Sequence, residues 1–295
     1  MHTDLVPVRP AADRPRAGRI AVAAALAACY GCSVGLESYP DVQPAVNAPI
    51  MSYTEYNDLQ HPEPFILRID NHAGGLLYFG SRHTTNPDDA QIDSIRRLWM
   101  EFQPTVALAE ARRSGRGSMA GAIRSFGESA APVFLARSAD VPVYTFEPPL
   151  DLEISTMLRT WSRERLLTFY VLRSYTARAA TRRADGQAAE LIRERGRWPG
   201  LVGTMESVKD MDSIWHREFP AGPDWRTLPW QSTWPNRDDS WLNALSADLN
   251  RFRDQYMLAL ITTLVQKGER VFAVVGSSHV VMQEAALRDM LAANR

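Results

Sequence analysis

Cysteine is nearly absent from this sequence. Its 295 residues include only two, Cys29 and Cys32, and both lie near the N-terminus. Neither lies near the strand ends that carry the candidate site residues described below. This distribution argues against thiolate catalysis and against a cysteine-rich zinc site.

Charge of one sign and several familiar motifs are lacking as well. Thirty-three Lys and Arg residues face 34 Asp and Glu residues, a net charge of -1, which argues against a nucleic-acid partner. There is no G-x-S-x-G elbow, no phosphate loop and no H-E-x-x-H segment. Beyond the N-terminal segment, no apolar run is long enough to span a membrane.

The N-terminal segment has the layout of a secretory signal. The apolar run Ile20–Ala28 follows a basic region that contains Arg9, Arg14, Arg16 and Arg19. Leu26-Ala27-Ala28-Cys29 resembles the lipobox of bacterial lipoproteins, which predicts a signal peptide over 1–28 and lipidation of Cys29. The protein would then be anchored to a membrane of the bacterial cell envelope, and Cys32 would have no disulfide partner. A plain signal peptide cleaved nearby is the alternative.

Composition divides the remaining chain into two parts. Residues 29–64 are rich in Pro, Ser, Asn and Tyr without clear periodicity, which predicts a tether between the lipid anchor and the body. Residues 65–295 alternate strand and helix patterns, which predicts one α/β domain. We expect a mixed, largely parallel central sheet flanked by helices, with a helical and Trp-rich insertion.

The domain begins with a strand–helix–strand unit. The apolar run Leu76–Phe79 predicts a buried strand that ends at Gly80-Ser81-Arg82-His83. Asn86 and Pro87 predict the start of a helix, with Asn86 as its cap. A second strand, 105–109, delivers Glu110 at its end. A right-handed crossover makes these strands parallel and brings His83 and Glu110 to one sheet edge.

The same pattern returns near the C-terminus. The apolar run 271–275 predicts a buried parallel strand, and it ends at Gly276-Ser277-Ser278-His279. The chain therefore places Gly-x-x-His twice after a buried strand. A third predicted strand, 141–146, ends at Glu147, so another carboxylate reaches the same edge.

Two further segments bear on the site. Six of the eight tryptophans lie between Trp198 and Trp241, which predicts either a cover over the site or a loop packed by its own aromatic rings. A long helical stripe follows and places Arg253 on its inner side. A buried-side arginine requires either a long reach to solvent or an anionic partner, for which Asp254 and the strand-end acids are candidates.

The candidate site therefore consists of two imidazoles, two carboxylates and a guanidinium. His83, Glu110 and His279 suit a divalent transition metal that would activate water and polarise a carbonyl or phosphoryl group. Glu147 is the candidate general base, and Arg253 the candidate stabiliser of negative charge. The alternatives are that the two histidines act without a metal, or that each residue is structural.

Four segments resemble the TraB/Tiki-like family, within a wider group that includes ChaN-like lipoproteins and erythromycin esterases. They are the hairpin strand into GSRH, PTVALAEARR, the helix with Arg253 and Asp254, and VFAVVGSSH. The resemblance covers roughly residues 65–293 and implies an α/β core with its site at the strand ends. Its Tiki branch implies a metal-dependent peptidase with ligands at His83, Glu110 and His279. Arg82, which places a cation beside His83, is a departure that disfavours a metal there.

GSRHTTNPDDAQ also resembles the corresponding ChaN-like segment, whose family members are lipid-anchored and bind haem. Two functions are therefore predicted. The first is a lipid-anchored, metal-dependent hydrolase of peptide or small-molecule ester bonds, using Mn, Co or Zn. The second is a non-enzymatic lipoprotein that binds haem or iron, and an inactive scaffold is a third possibility.

Overall fold

The structure is a computed structural model that describes residues 33–110, 113–115, 117–177 and 184–292. The predicted signal peptide and the predicted lipidation site, Cys29, lie outside these residues.

The strands of the described residues are β1 (Ser33–Gly35), β2 (Phe65–Asp70), β3 (Gly75–Ser81), β4 (Val106–Ala109), β5 (Arg113–Gly115), β6 (Val143–Thr145) and β7 (Arg270–Gly276). Five of them form the central sheet of the fold, in the order β2-β3-β7-β4-β6. β2 runs antiparallel to β3 in the predicted hairpin, and the other neighbours are parallel. The predicted α/β class, with a mixed and largely parallel sheet, is confirmed.

The last strand of the chain, β7, lies between β3 and β4. Its Gly276 pairs with Ser81 of β3, and its Val274 pairs with Ala109 of β4. The strands that lead to His83 and Glu110 are therefore parallel but not adjacent. The strand that leads to His279 separates them, so all three side chains emerge from consecutive strands at one edge.

Helices cover both faces of the sheet and form a separate lobe. Their bounds are α1 (Tyr53–Asn57), α2 (Ala90–Phe102), α3 (Met119–Phe126), α4 (Ala130–Ser138), α5 (Leu150–Met157), α6 (Arg163–Thr176), α7 (Asp185–Arg195), α8 (Val208–Glu218), α9 (Trp241–Gln266) and α10 (Ser277–Ala292). The predicted cap of α2 is wrong: Asp89, not Asn86, accepts a hydrogen bond from the Gln91 amide. Asn86 instead accepts from the Asp88 amide in the preceding turn, a role that the same short polar side chain performs equally well.

Alternate residues of each strand pack on opposite faces, and both faces are buried. Leu76 and Tyr78 contact the side of the sheet covered by α9 and α10. Leu77 and Phe79 contact the opposite side, where α2 contributes Ile92, Ile95, Trp99 and Phe102. Burial on both faces explains why these strands are continuous apolar runs rather than alternating ones.

Residues 33–64 differ from the tether that their composition predicted. Val42 and Ile50 are buried in the core on the α9 side. The backbone of this segment is fixed by hydrogen bonds from the Ala45 amide to Gln255 and from the Met51 amide to Met282. Its regular structure is limited to the short β1 and α1, and its anchors to the core are a few separated residues, so it shows no periodicity in the sequence.

The predicted insertion forms a helical lobe, which comprises α5 to α8 and the two 3-10 turns Trp225–Thr227 and Trp230–Thr233. Its core includes Trp215 and Trp225, which are buried against α6, α7 and the first turns of α9. Most of the tryptophan-rich segment is therefore a core of its own. In the described part of the chain, no helix is both long and apolar enough to cross a membrane.

Candidate functional site

The candidate site lies at the C-terminal edge of the sheet, where the sequence placed it. His83 follows β3, Glu110 follows β4, Glu147 follows β6, and His279 lies in the first turn of α10 directly after β7. Arg253 reaches the same place from α9, which packs across one face of the sheet. The structure therefore brings all five predicted residues to one edge.

The two Gly-x-x-His motifs support each other. A Cβ atom at Gly276 would lie 3.0 Å from Nε2 of His83, so the glycine of the second motif makes room for the imidazole of the first. A Cβ atom at Gly80 would lie 2.9 Å from the Ser277 Cα, so the glycine of the first motif makes room for the start of α10. Close backbone approach, rather than an unusual φ angle, explains both glycines.

Arg253 joins the two strand-end carboxylates. Its Nη2 donates to Glu110 Oε1 at 2.9 Å and to Glu147 Oε1 at 2.6 Å, and its Nε donates to Glu147 Oε2 at 3.1 Å. Its Nη1 donates to Asn250 at 3.1 Å. The guanidinium side chain is only 5 % exposed, so these bonds compensate its desolvation.

Glu110 is the centre of the cluster. Its Oε2 accepts from the Gly276 amide at 3.0 Å, and its Oε1 lies 3.9 Å from Nε2 of His279. Burial alone would raise the pKa of Glu110, but the charges of Arg253, His279 and His83 and the Gly276 amide lower it to about 2. The carboxylate is therefore ionised and holds the β7–α10 junction in place.

His279 is oriented by a buried carboxylate. Its Nδ1 lies 2.5 Å from Asp254 Oδ1, which also accepts from Gln283 at 2.6 Å. Asp254 is fully buried. Burial would lower the pKa of His279, but the Asp254 carboxylate outweighs it and raises the pKa. With its Nδ1 proton on Asp254, the ring directs Nε2 towards Glu110.

His83 has a second carboxylate of its own. Its Nδ1 lies 2.9 Å from Glu128 Oε1, and that oxygen also accepts from Ser81 at 2.8 Å. The other oxygen of Glu128 accepts from the Thr84 amide. The hydrogen bond to Glu128 raises the pKa of His83 to about 9, although the imidazole is 73 % exposed.

Two residues of this arrangement were missed as site residues by the sequence reasoning. Asp254 was considered only as an ion-pair partner of Arg253, but it binds His279 instead. Glu128 lies in the loop between α3 and α4, where no strand end or motif marks it. The signal for Asp254 was its position among buried residues of α9, where a carboxylate needs a hydrogen-bond donor.

The contacts bear on the roles predicted for Glu147 and Arg253. Both oxygens of Glu147 accept from Arg253, and all three guanidinium nitrogens donate within the protein. These bonds favour a positioning role for the pair. In the described part of the chain, the ring nitrogens of the cluster that have no hydrogen-bond partner are Nε2 of His279 and Nε2 of His83.

The predicted metal ligands are neighbours without forming a closed ligand set. Among residues 33–110, 113–115, 117–177 and 184–292, no group of three His, Cys, Asp or Glu side chains has an arrangement that could hold a metal ion. The donor types nevertheless fit. Both imidazoles give Nδ1 to a carboxylate, which is the usual arrangement of histidines that bind metal through Nε2.

A recess of about 520 Å³ opens in front of the cluster, and we call it the Trp recess. His83, Glu110, Arg253 and His279 line its floor. Four aromatic side chains also line it, namely Tyr53, Tyr56, Trp230 and Trp234. Two tryptophans of the insertion therefore face the site, as the cover hypothesis expected, whereas Trp215 and Trp225 are buried in the helical lobe.

Comparisons with known proteins return no match: no protein-family model, no curated protein and no solved structure is similar to this chain.

Proposed function

We propose that the protein is a hydrolase of ester or peptide bonds and that the sheet-edge cluster is its active site. One observation carries the proposal. Two histidines, each held at Nδ1 by its own carboxylate, face a common recess beside the ionised Glu110. A histidine with a purely structural role needs only one hydrogen-bond partner. Two imidazoles that line the same open recess can instead transfer protons to and from a bound molecule.

In this proposal the two histidines transfer protons, and the charged residues around them hold them in position. Asp254 fixes the tautomer of His279, so that Nε2 of the neutral ring accepts a proton from the attacking water. His83, whose proton Glu128 stabilises, donates to the carbonyl oxygen or to the leaving group. Arg253 holds Glu110 and Glu147 in place, and Glu110 in turn holds the Gly276 amide.

The metal-dependent form of this proposal uses the same residues. His83 and His279 through Nε2, together with Glu110, would hold Mn, Co or Zn, and the cation would polarise the carbonyl group.

The test is a panel of chromogenic esters and fluorogenic peptides, measured with the purified full-length chain, with chelator and with added Mn, Co or Zn. We expect turnover that Asp254→Asn reduces and His279→Ala abolishes. Activity that disappears with chelator and returns with one cation supports the metal-dependent form. Activity indifferent to chelator supports the metal-free acid–base pair. Absence of turnover under all conditions contradicts the hydrolase proposal.

Haem or iron binding is the second candidate. It is favoured by the exposure of His83 at a recess whose wall is aromatic, because an accessible imidazole can act as an axial ligand. Titration with haemin should then give a shifted Soret band that His83→Ala removes. A spectrum that is the same for wild type and His83→Ala would contradict it.

Anchoring of the protein to the cell envelope through Cys29 is a separate proposal, supported by the lipobox-like segment alone. Mass spectrometry of the protein from bacterial membranes should find a mature N-terminus at Cys29 that carries a diacylglycerol group. Cys29→Ser should release the protein from the membrane fraction or leave it uncleaved. An unmodified N-terminus at another residue contradicts the anchor.

A further inference from the structure

Arg173 differs from the other arginine of the site. It lies near the end of α6, is exposed, and within the described residues makes no hydrogen bond or ion pair. By contrast, every guanidinium nitrogen of Arg253 donates to a side chain of the protein. Arg173 therefore has a full set of donors available to a ligand.

Its position makes these donors relevant to the site. Arg173 lines the Trp recess and also a second recess of about 540 Å³, which we call the Glu153 recess. Glu110 and Arg253 line both as well, so Arg173 stands where the two recesses meet beside the catalytic cluster. A ligand bound in the Trp recess therefore has these donors in its wall.

Among the described residues, no carboxylate forms an ion pair with Arg173. Although its side chain is partly exposed, desolvation by the surrounding atoms and the charge of Arg253 lower the pKa of Arg173, while the charges of Glu147, Glu153 and Glu110 raise it. Of these carboxylates, Glu147 and Glu110 are already bound to Arg253, and Glu153 accepts from Tyr170 at 2.7 Å. An incoming anion would relieve the repulsion between the two guanidinium groups.

The surroundings also limit the charge of that anion. Three carboxylates lie near Arg173, so a dianion such as a phosphate monoester meets more repulsion than a singly charged carboxylate. The planar guanidinium fork matches the two oxygens of a carboxylate. In the same recess, Trp230 is 53 % exposed and lies edge-on to Trp234 with ring centroids 4.4 Å apart. Such a surface suits an aromatic or apolar group.

We propose that the Trp recess binds substrates that carry a carboxylate next to an aromatic or apolar group, with the carboxylate on Arg173 and the apolar group on Trp230 and Trp234. This inference rests on the proposed function only where it calls the bound molecule a substrate. The binding preference itself depends on Arg173 and the tryptophans, which take no part in the proton transfers.

Calorimetric titration with three probes that share one ring tests the proposal: phenylacetate, phenylacetamide and phenyl phosphate, at one ionic strength. In the wild type, phenylacetate should bind about tenfold more tightly than phenylacetamide, as expected for one charge-assisted pair. Arg173→Gln should abolish that preference. Arg159→Gln, which removes the same charge from an exposed position that lines neither recess, should retain it. Trp230→Ala should weaken the binding of phenylacetate and of phenylacetamide by the same factor.

Three results would overturn the inference: equal binding of phenylacetate and phenylacetamide, no binding of either probe, or a preference that persists in Arg173→Gln. Tighter binding of phenyl phosphate than of phenylacetate would overturn the assignment to a carboxylate. His279→Ala separates this inference from the hydrolase proposal. It should retain the carboxylate preference, so a protein with the preference and without turnover has the subsite but not the proposed activity.

Discussion

Two arginines of this protein each gather carboxylates from separate elements, but the surroundings differ. Arg253 binds Glu110 and Glu147 and is 5 % exposed. Arg226, in the helical lobe, binds Asp185, Asp212 and Asp224 and is 28 % exposed. It also stacks on Trp225, whose indole nitrogen donates to Asp212 at 2.8 Å.

The difference shows which ion-pair network indicates chemistry. Around Arg226 the charges bind one another and fasten α7, α8 and a 3-10 turn together. Around Arg253 the carboxylates also hold the Gly276 amide and lie beside His279, whose Nε2 faces an open recess. A buried charged cluster beside an imidazole nitrogen that can still bind a ligand indicates a functional site. A network in which the charged groups bind one another indicates a structural role.

The largest expected difference concerns stability. Arg253→Ala leaves Glu110 and Glu147 buried without their counter-charge and should lower the free energy of unfolding by about 3–5 kcal/mol. Arg226→Ala removes partly exposed pairs and should cost about 1 kcal/mol. Urea unfolding of both variants measures this. Equal losses would mean that burial does not distinguish the two networks.

The second prediction compares the effects of Asp254 and Asp212 on catalysis. Asp254→Asn keeps the volume but removes the charge that orients His279, and should lower kcat/KM about 10- to 100-fold. Asp212→Asn makes the same change in the Arg226 network and should leave kcat/KM unchanged. Kinetics on the best substrate of the ester and peptide panel provide the readout. Equal activity of the two variants would remove Asp254 from the mechanism.

The third prediction uses glycines. In Gly276→Ala the new methyl group would lie 3.0 Å from Nε2 of His83, so the imidazole must move and kcat/KM should fall about tenfold. Gly186→Ala, in the helical lobe, meets no atom within 4 Å and should raise the free energy of unfolding by about 0.5–1 kcal/mol without affecting turnover. A fully active Gly276→Ala variant would show that the position of His83 is unimportant.

The predictable part of the fold was its local part. The apolar runs at 76–79 and 271–275 predicted β3 and β7, and the spacing of Ile92, Ile95 and Phe102 predicted α2. The insertion of β7 between β3 and β4 was not predicted, because strand order depends on long-range pairing that no local pattern encodes. The packing of residues 33–64 was missed for a similar reason, since single anchors such as Val42 carry no period.

The same limit applies to the site. Strand-end positions predicted His83, Glu110, Glu147 and His279, because a parallel sheet collects its strand ends at one edge. Glu128 comes from a loop between two short helices, and only the folded chain brings it to His83. The pairing of Asp254 with His279 joins α9 to α10 across the core, whereas local reasoning pairs it with the adjacent Arg253.

The smallest expected effect is the pH dependence of the Arg226 network. The hydrogen bond from Arg226 lowers the pKa of Asp212 below its ordinary value of 3.8. Its contribution to stability is therefore present above that value and is lost as the pH falls through the lowered pKa. Asp212 is 34 % exposed, so the effect should be below about 1 kcal/mol. The stability difference between wild type and Arg226→Ala should shrink as the pH falls below 3.8, and a constant difference would contradict it.

The most direct test of the comparison replaces one histidine in each region. His279 faces the Trp recess, whereas His216 is exposed beside the Arg226 network, with its Nδ1 2.7 Å from the Asp212 carbonyl oxygen. Turnover of the best ester or peptide should fall about 10²- to 10⁴-fold in His279→Ala, the loss expected when a general base is removed. It should be unchanged in His216→Ala. Full activity of a folded His279→Ala variant would contradict the assignment of the sheet-edge cluster as the active site.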